Sequence, residues 1–236
     1  VIDQLSENYH CFALDLLGFG ESERPKLHYS IQLEVECLFQ YLEALHLPEV
    51  YLVGHSLGGW IAASYALKHV ENVRGLVLIA PEGVQTPRKR LGEGWTRWLI
   101  GRPPIAYLIL FCLYPLARLI GRHKSIERAL KWRKQILSSP TAGKLLCQRR
   151  RAEIQAELLQ EQLEWLNVPT VILQGAKDAP DAIAQSQVYA TQIPKAHFQM
   201  VESGENNLPE ALPGLLAGHI HDFVNRVEGL KVEVEG

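Results

Sequence analysis

The stretch Val50-Tyr51-Leu52-Val53-Gly54-His55-Ser56-Leu57-Gly58-Gly59-Trp60-Ile61-Ala62-Ala63 passes from a short apolar run into a segment rich in Ala and Leu. The first run is too short and apolar to be anything but a central strand, and 57–70 reads as a helix. Between them Gly54 to Gly58 spell G-x-S-x-G. A strand that runs straight into a helix needs a tight turn, and glycines on both flanks of Ser56 permit it by removing side chains where strand and helix approach. The Ser56 hydroxyl then stands exposed above the strand end. The amide of Leu57, at the helix N-terminus, is placed to donate to an oxyanion. The bland alternative is a Gly-rich helix start with a capping serine, and the strand before and helix after count against it.

Outward from this motif, strand and helix patterns alternate. Upstream, 11–16 reads as a buried strand that ends in a turn at Gly18 and Gly20. Ser30 is a cap for a helix in which apolar residues at 31, 35, 38, 39, 42 and 45 keep a helical period. Downstream, 73–80, 170–174 and 198–201 read as strands, and 181–193 and 209–227 as helices. This alternation predicts an α/β fold with a mostly parallel central sheet flanked by helices. Residues 85–166 have no strand pattern and read as a helical cap inserted into a discontinuous core, 1–84 and 167–236.

Composition sets the class. The 236 residues are 47% hydrophobic and 21% charged, enough for one main core with a sizeable insertion. Cys11, Cys37, Cys112 and Cys147 are far apart and form no C-x-x-C pair. Together with the lack of a signal-peptide pattern, this favours a reducing, cytoplasmic setting. His and Cys show no metal-ligand spacing, so no metal is expected, and no cofactor is called for. Residues 85–166 hold 16 Lys/Arg against 6 Asp/Glu, leaving 8 against 20 elsewhere, so a segment of about +10 interrupts a remainder of about −12. Nucleic acid is discounted as its partner, because no binding motif or interleaved aromatics accompany the basic residues.

Residues 103–117 are uncharged. As a helix they span roughly 22 Å, short of the ~30 Å hydrocarbon core, and Pro115 is expected to break them further. Two readings stay open. One is a cap helix whose apolar face covers a pocket. The other is an interfacial segment, backed by Arg118, Arg122, His123, Lys124, Arg128, Lys131, Arg133 and Lys134, suited to an anionic membrane surface or a lipid.

Taken together, the motifs resemble the α/β-hydrolase superfamily, in particular its lid-bearing bacterial esterase and carbon–carbon hydrolase branch. Leu14-Asp15-Leu16-Leu17-Gly18-Phe19-Gly20-Glu21-Ser22 is similar to that family's D-x-x-G-x-G-x-S loop, and Gly54 to Gly59 to its nucleophile elbow. Pro169 to Asp178 is similar to the strand that ends in the triad acid, so the resemblance implies Ser56 as nucleophile, Leu57 N–H as oxyanion donor and Asp178 as carboxylate. It also implies that the family's first strands and its His-Gly loop, the second oxyanion donor, lie ahead of Val1. The chain departs from the family where the histidine should follow the last strand. There it reads Glu205-Asn206-Asn207, and Asn206 stands in the histidine's place. Asparagine has no basic nitrogen to take the serine proton. His197, before the last strand, and His219 and His221, in the closing helix, are the substitutes to weigh, while His55 should point away from Ser56. Two functions follow: a cofactor-free serine hydrolase of an ester or related acyl bond in an apolar small molecule or lipid, or a non-catalytic ligand-binding or scaffolding protein without the triad base.

Overall fold

The pairing of four strands sets the architecture: β1 (Val50–His55), β2 (Val73–Ile79), β3 (Thr170–Gly175) and β4 (Ala196–Val201) lie in the order β1-β2-β3-β4, all parallel. The computed structural model describes residues 1–86, 105–119, 140–145 and 149–235, together with 123, 126, 127, 130 and 134. Cys147 and much of 85–166 lie outside the described residues. Contacts divide the chain into two units. Val1–Leu17, Ser30–Thr86 and Glu157–Gly236 form one, and Gly18–Tyr29 with Pro87–Ala156 form the other.

In the first unit, β2 and β3 are buried along nearly their whole length, as strands covered on both faces must be. Their register, Leu76↔Thr170 through Ile79↔Leu173, sorts the side chains by period two. Val77, Ile79, Val171 and Leu173 share a core cluster with Leu216, Ile220, Phe223 and Val224 of the closing helix, so Leu76, Leu78 and Ile172 face the other way. Each such buried Val, Leu or Ile contributes about 1.5–3 kcal/mol relative to its exposed state. On the first face lie the short helix α1 (Ile2–Leu5) and the closing helices α8 (Leu208–Ala211) and α9 (Pro213–Glu235). α3 (Leu57–Lys68) packs on β1 and β2 and carries α2 (Ile31–Ala44) behind it; α7 (Pro180–Gln192) packs on β3 and β4. Ser30 caps α2 as predicted, its side chain accepting from the Leu33 N–H at 3.0 Å.

Three expectations are corrected. Residues 11–16 are not a strand, and Phe12 and Leu14 are exposed, because an apolar run becomes a strand only by pairing and this one has no ladder partner among the described residues. β1 is an edge of the four-stranded sheet rather than central, with Val53 47% exposed. Apolar composition reports a strand's appetite for burial, not how many neighbours it pairs with.

In the second unit the described elements are helical: α4 (Ile105–Leu119), α5 (Pro140–Gly143) and α6 (Arg151–Ala156). The third correction falls here, since α4 runs through Pro115 instead of breaking at it. The ring removes one N–H from the ladder and crowds the carbonyl four residues earlier, which is unfavourable by about 3 kcal/mol, and α4 nonetheless continues to Leu119. Thr141 Oγ1 donates to the Gly18 carbonyl at 2.9 Å, and Lys144 sits over the Tyr29 ring at 4.9 Å. Among the described residues no helix is long and apolar enough to cross a membrane.

Glu34, on the inner side of α2, is 1% exposed. Its Oε2 accepts from the Leu17 N–H at 3.0 Å, while Oε1 has no hydrogen-bond partner among the described residues. Burial pushes the carboxyl up from 4.5 to about 7, against the opposing pull of that N–H; burial also pushes the Cys37 thiol up, aided by the nearby Glu34 and Glu36. A folded-state value above the unfolded one means that the native protein holds the proton more tightly, so stability falls as pH rises from 4.5 towards about 7. Glu34→Gln keeps the acceptor for Leu17 and removes the titration. Urea midpoints measured at about pH 5 and about pH 8 are expected to fall in the wild type by clearly more than in the variant; equal declines would contradict this.

Candidate active site

β1 ends at His55 and α3 begins at Leu57, so the whole reversal from strand to helix is carried by Ser56. Its backbone takes φ 53° and ψ −113°, a left-handed setting that a side chain makes unfavourable by about 1–3 kcal/mol. The turn persists because neighbours over-determine it. The Ser56 N–H donates to Ile79 O at 2.9 Å, and the Ser56 carbonyl accepts from Gly59, Trp60 and Glu82 N–H groups at 3.0, 3.2 and 3.2 Å. Gly54 is needed because a Cβ there would sit 2.3 Å from the Gly58 carbonyl oxygen. The second glycine of the motif is different. A Cβ on Gly58 would meet nothing within 4 Å, and the crowding falls on Gly59, 3.0 Å from Pro81 Cβ.

The Ser56 hydroxyl donates to Glu82 Oε1 at 3.1 Å. Nothing in the sequence pattern marked Glu82. It lies just past the end of β2, and β1 and β2 are paired in register through His55↔Ile79, so the residues that follow the two strands emerge side by side. The signal available was positional, since in open α/β sheets functional groups gather at the carboxyl ends of adjacent strands.

The Asp178 carboxylate follows the end of β3 and is fully engaged. Oδ1 accepts from the Ala179 N–H at 2.6 Å; Oδ2 accepts from Gln174 Nε2 at 3.0 Å and from Asn206 Nδ2 at 3.2 Å. Gln174 is completely buried and fixed by the Ser186 hydroxyl, which donates to its Oε1 at 2.6 Å. Asn206 is exposed, and its backbone carbonyl meets His55 Nε2 at 2.7 Å. His55 thus turns from the serine hydroxyl towards the Asn206 loop, as its place in the motif implied. Leu57 opens α3, where the first N–H groups of a helix have no partner within it.

The other histidines weighed as a base lie elsewhere in the fold. His197 lies within β4 rather than ahead of it, in register with Val171. His219 approaches Gln199 at 3.5 Å, and His221 bonds the Tyr9 hydroxyl at 2.7 Å and Asn225 at 3.0 Å. Among the described residues no histidine bonds the Ser56 hydroxyl, and no three of His, Cys, Asp and Glu gather as a metal site.

The family model described as the alpha/beta hydrolase fold matches residues 1–212. The chain is 41% identical over 88 residues to 2-hydroxymuconate semialdehyde hydrolase of Pseudomonas sp. (strain CF600), covering 37% of this chain and 31% of that protein. It is 41% identical over 86 residues to 1-acylglycerol-3-phosphate O-acyltransferase ABHD5 of Rattus norvegicus, covering 34% of this chain and 24% of that protein. The match therefore spans about a quarter to a third of these curated relatives' lengths. Among solved structures, a meta-cleavage product hydrolase (CumD) superposes with a TM-score of 0.68 at 19% identity, covering 95% of this chain and 83% of that one, which is a likeness of fold.

The strain at Ser56 is measurable. Ser56→Gly and Ser56→Ala both lose the hydroxyl, but only glycine relaxes the positive φ. The glycine variant is expected to be the more stable of the two by about 1 kcal/mol in urea unfolding. A tie, or an advantage for alanine, would show that the turn stores no strain.

Proposed function

Since the chain belongs to the α/β-hydrolase fold family, we propose that it acts on an ester or related acyl bond of an apolar small molecule or lipid, with Ser56 as nucleophile and the Leu57 N–H as oxyanion donor. One observation carries this reading: Ser56 is held in a strained turn with its hydroxyl presented to a carboxylate. A capping serine has no need of that strain, which persists at sites where exposure of the side chain is useful. The names of the two relatives, a semialdehyde hydrolase and an acylglycerol phosphate acyltransferase, differ in acceptor and agree with carbonyl-centred chemistry of this kind. In such a reaction the serine oxygen attacks the carbonyl carbon, and the helix N-terminus stabilises the negative charge that develops on oxygen.

A second reading rests on a different observation. Asp178 is bonded to the Asn206 amide, which has no nitrogen able to take a proton, so the pair cannot act as the acid–base couple of a triad. Under that reading the domain binds an acyl ligand, or serves as a scaffold, without turnover.

The two readings separate in one experiment on the full-length protein: a fluorophosphonate probe with mass-spectrometric location of the adduct, and Ser56→Ala as the control. Adduct at Ser56 is expected, lost in the variant; folded protein that stays unlabelled would select the binding reading. Asn206→His, which sets an imidazole beside Asp178, is expected to speed labelling by about tenfold or more. No acceleration would argue that Asp178 and Asn206 are not placed to serve the serine.

For a partner we propose an anionic lipid surface, met through the basic second unit. α4 exposes Leu108, Ile109, Phe111, Leu113, Leu116 and Leu119. Of the basic residues that follow, Arg122, Lys124, Arg128, Lys131 and Arg133 lie outside the described residues. Co-sedimentation of the full-length protein with phosphatidylserine-containing vesicles is expected at low salt and to weaken severalfold at high salt. Salt-independent binding, or none, would reject it.

A further inference from the structure

Among the described residues no histidine bonds the Ser56 hydroxyl and one carboxylate does, and the segment that delivers that carboxylate is held at Ala80, Glu82 and Gly83. Ala80 takes a positive φ of 43° and donates its N–H to Leu173 O at 2.9 Å. The Glu82 N–H donates to the Ser56 carbonyl at 3.2 Å, so backbone and side chain of Glu82 both hold the serine. The Glu82 carbonyl accepts from the Tyr189 hydroxyl at 2.6 Å. Tyr189 is wholly buried, and burial pushes its phenol up, so it remains a donor. Gly83 closes the segment at φ +102°, where a Cβ would lie 2.4 Å from Trp60 Cγ, and its carbonyl accepts from the Leu159 N–H at 2.9 Å. A glutamate free to swing would need none of this.

We propose that Glu82 is the proton acceptor for Ser56, doing in this chain what a triad histidine does elsewhere. This rests on the acyl-bond reading above. As the Ser56 oxygen forms its bond to the acyl carbon, its proton moves to Glu82 Oε1. The ester's alkoxide then leaves, taking that proton from Glu82, and departs as the alcohol; the acyl group stays on Ser56 and the carboxylate is regenerated. Water next gives a proton to Glu82 and adds its oxygen to the acyl carbon, and the serine oxygen leaves with the proton returned. The sum is ester plus water giving acid plus alcohol. The proton is routed through Glu82 and not Asp178, because among the described residues the Ser56 hydroxyl bonds Glu82, while the Asp178 oxygens accept from Ala179, Gln174 and Asn206.

Glu82→Gln tests this with little change of shape, since the amide oxygen still accepts from the serine. The readout is the rate of fluorophosphonate labelling at Ser56 of the full-length protein. The expected result is a fall of about a hundredfold or more in Glu82→Gln, with a smaller fall in Glu82→Asp, which retains a base at a longer distance. Labelling of Glu82→Gln at the wild-type rate would overturn the proposal while leaving the acyl-bond reading intact. A wild-type protein that is never labelled at Ser56 would overturn both.

Discussion

Everything at the site depends on one backbone constraint, the reversal from strand to helix within a single residue. A chain leaving β1 has to turn sharply to start α3 on top of the sheet, and a side-chain-bearing residue can do so only at positive φ. That setting is unfavourable in isolation and is stabilised here by bonds from three directions: Ile79 in the neighbouring strand, Gly59 and Trp60 in the helix, and Glu82 in the next loop. The close approach of Gly54 to Gly58 is the space in which the reversal happens. Without the parallel neighbour β2, the serine would lose both its backbone anchor and the carboxylate beside its hydroxyl.

The carboxylate at the end of β3 and the carboxylate that touches the serine are different groups with different surroundings. Asp178 sits at the end of β3 with its oxygens accepting from two side-chain amides and a backbone N–H, an arrangement that orients and stabilises a charge. Glu82 sits at the end of β2, partly buried, with its Oε1 directed at a hydroxyl. Members of the α/β-hydrolase fold family share the sheet and the elbow, and what a member does is decided by such side-chain placements.

The parts legible in the sequence were those governed by local rules. The apolar period of α2, the cap at Ser30, the buried strands β2 and β3 and the G-x-S-x-G turn each follow from spacing within a dozen residues. What escaped depends on pairing. Residues 11–16 have the composition of a strand and no ladder partner among the described residues; Val50–His55 has the composition of a central strand and lies at an edge of the four-stranded sheet. Pro115 obeyed its helical neighbours rather than its own preference. Glu82 could not be matched to Ser56 because the two are 26 positions apart and meet only once β1 and β2 align. Asn206 stood out in the sequence by its place after the last strand, but its bond to Asp178 and its carbonyl's contact with His55 required the fold.

The pairing of β2 with β3 joins residues on either side of a stretch of about 90 residues, and the entropy of closing so long a loop rises only with the logarithm of its length. Doubling that stretch would disfavour the sheet by only about 0.6 kcal/mol. Closure entropy thus sets only a weak limit on the length of that stretch, whereas its composition is constrained at both ends, where Glu82 meets Ser56 and where Leu159, Leu163 and Leu166 are buried. The burden falls on time rather than equilibrium, because a contact between such distant residues forms late and slowly as the chain folds.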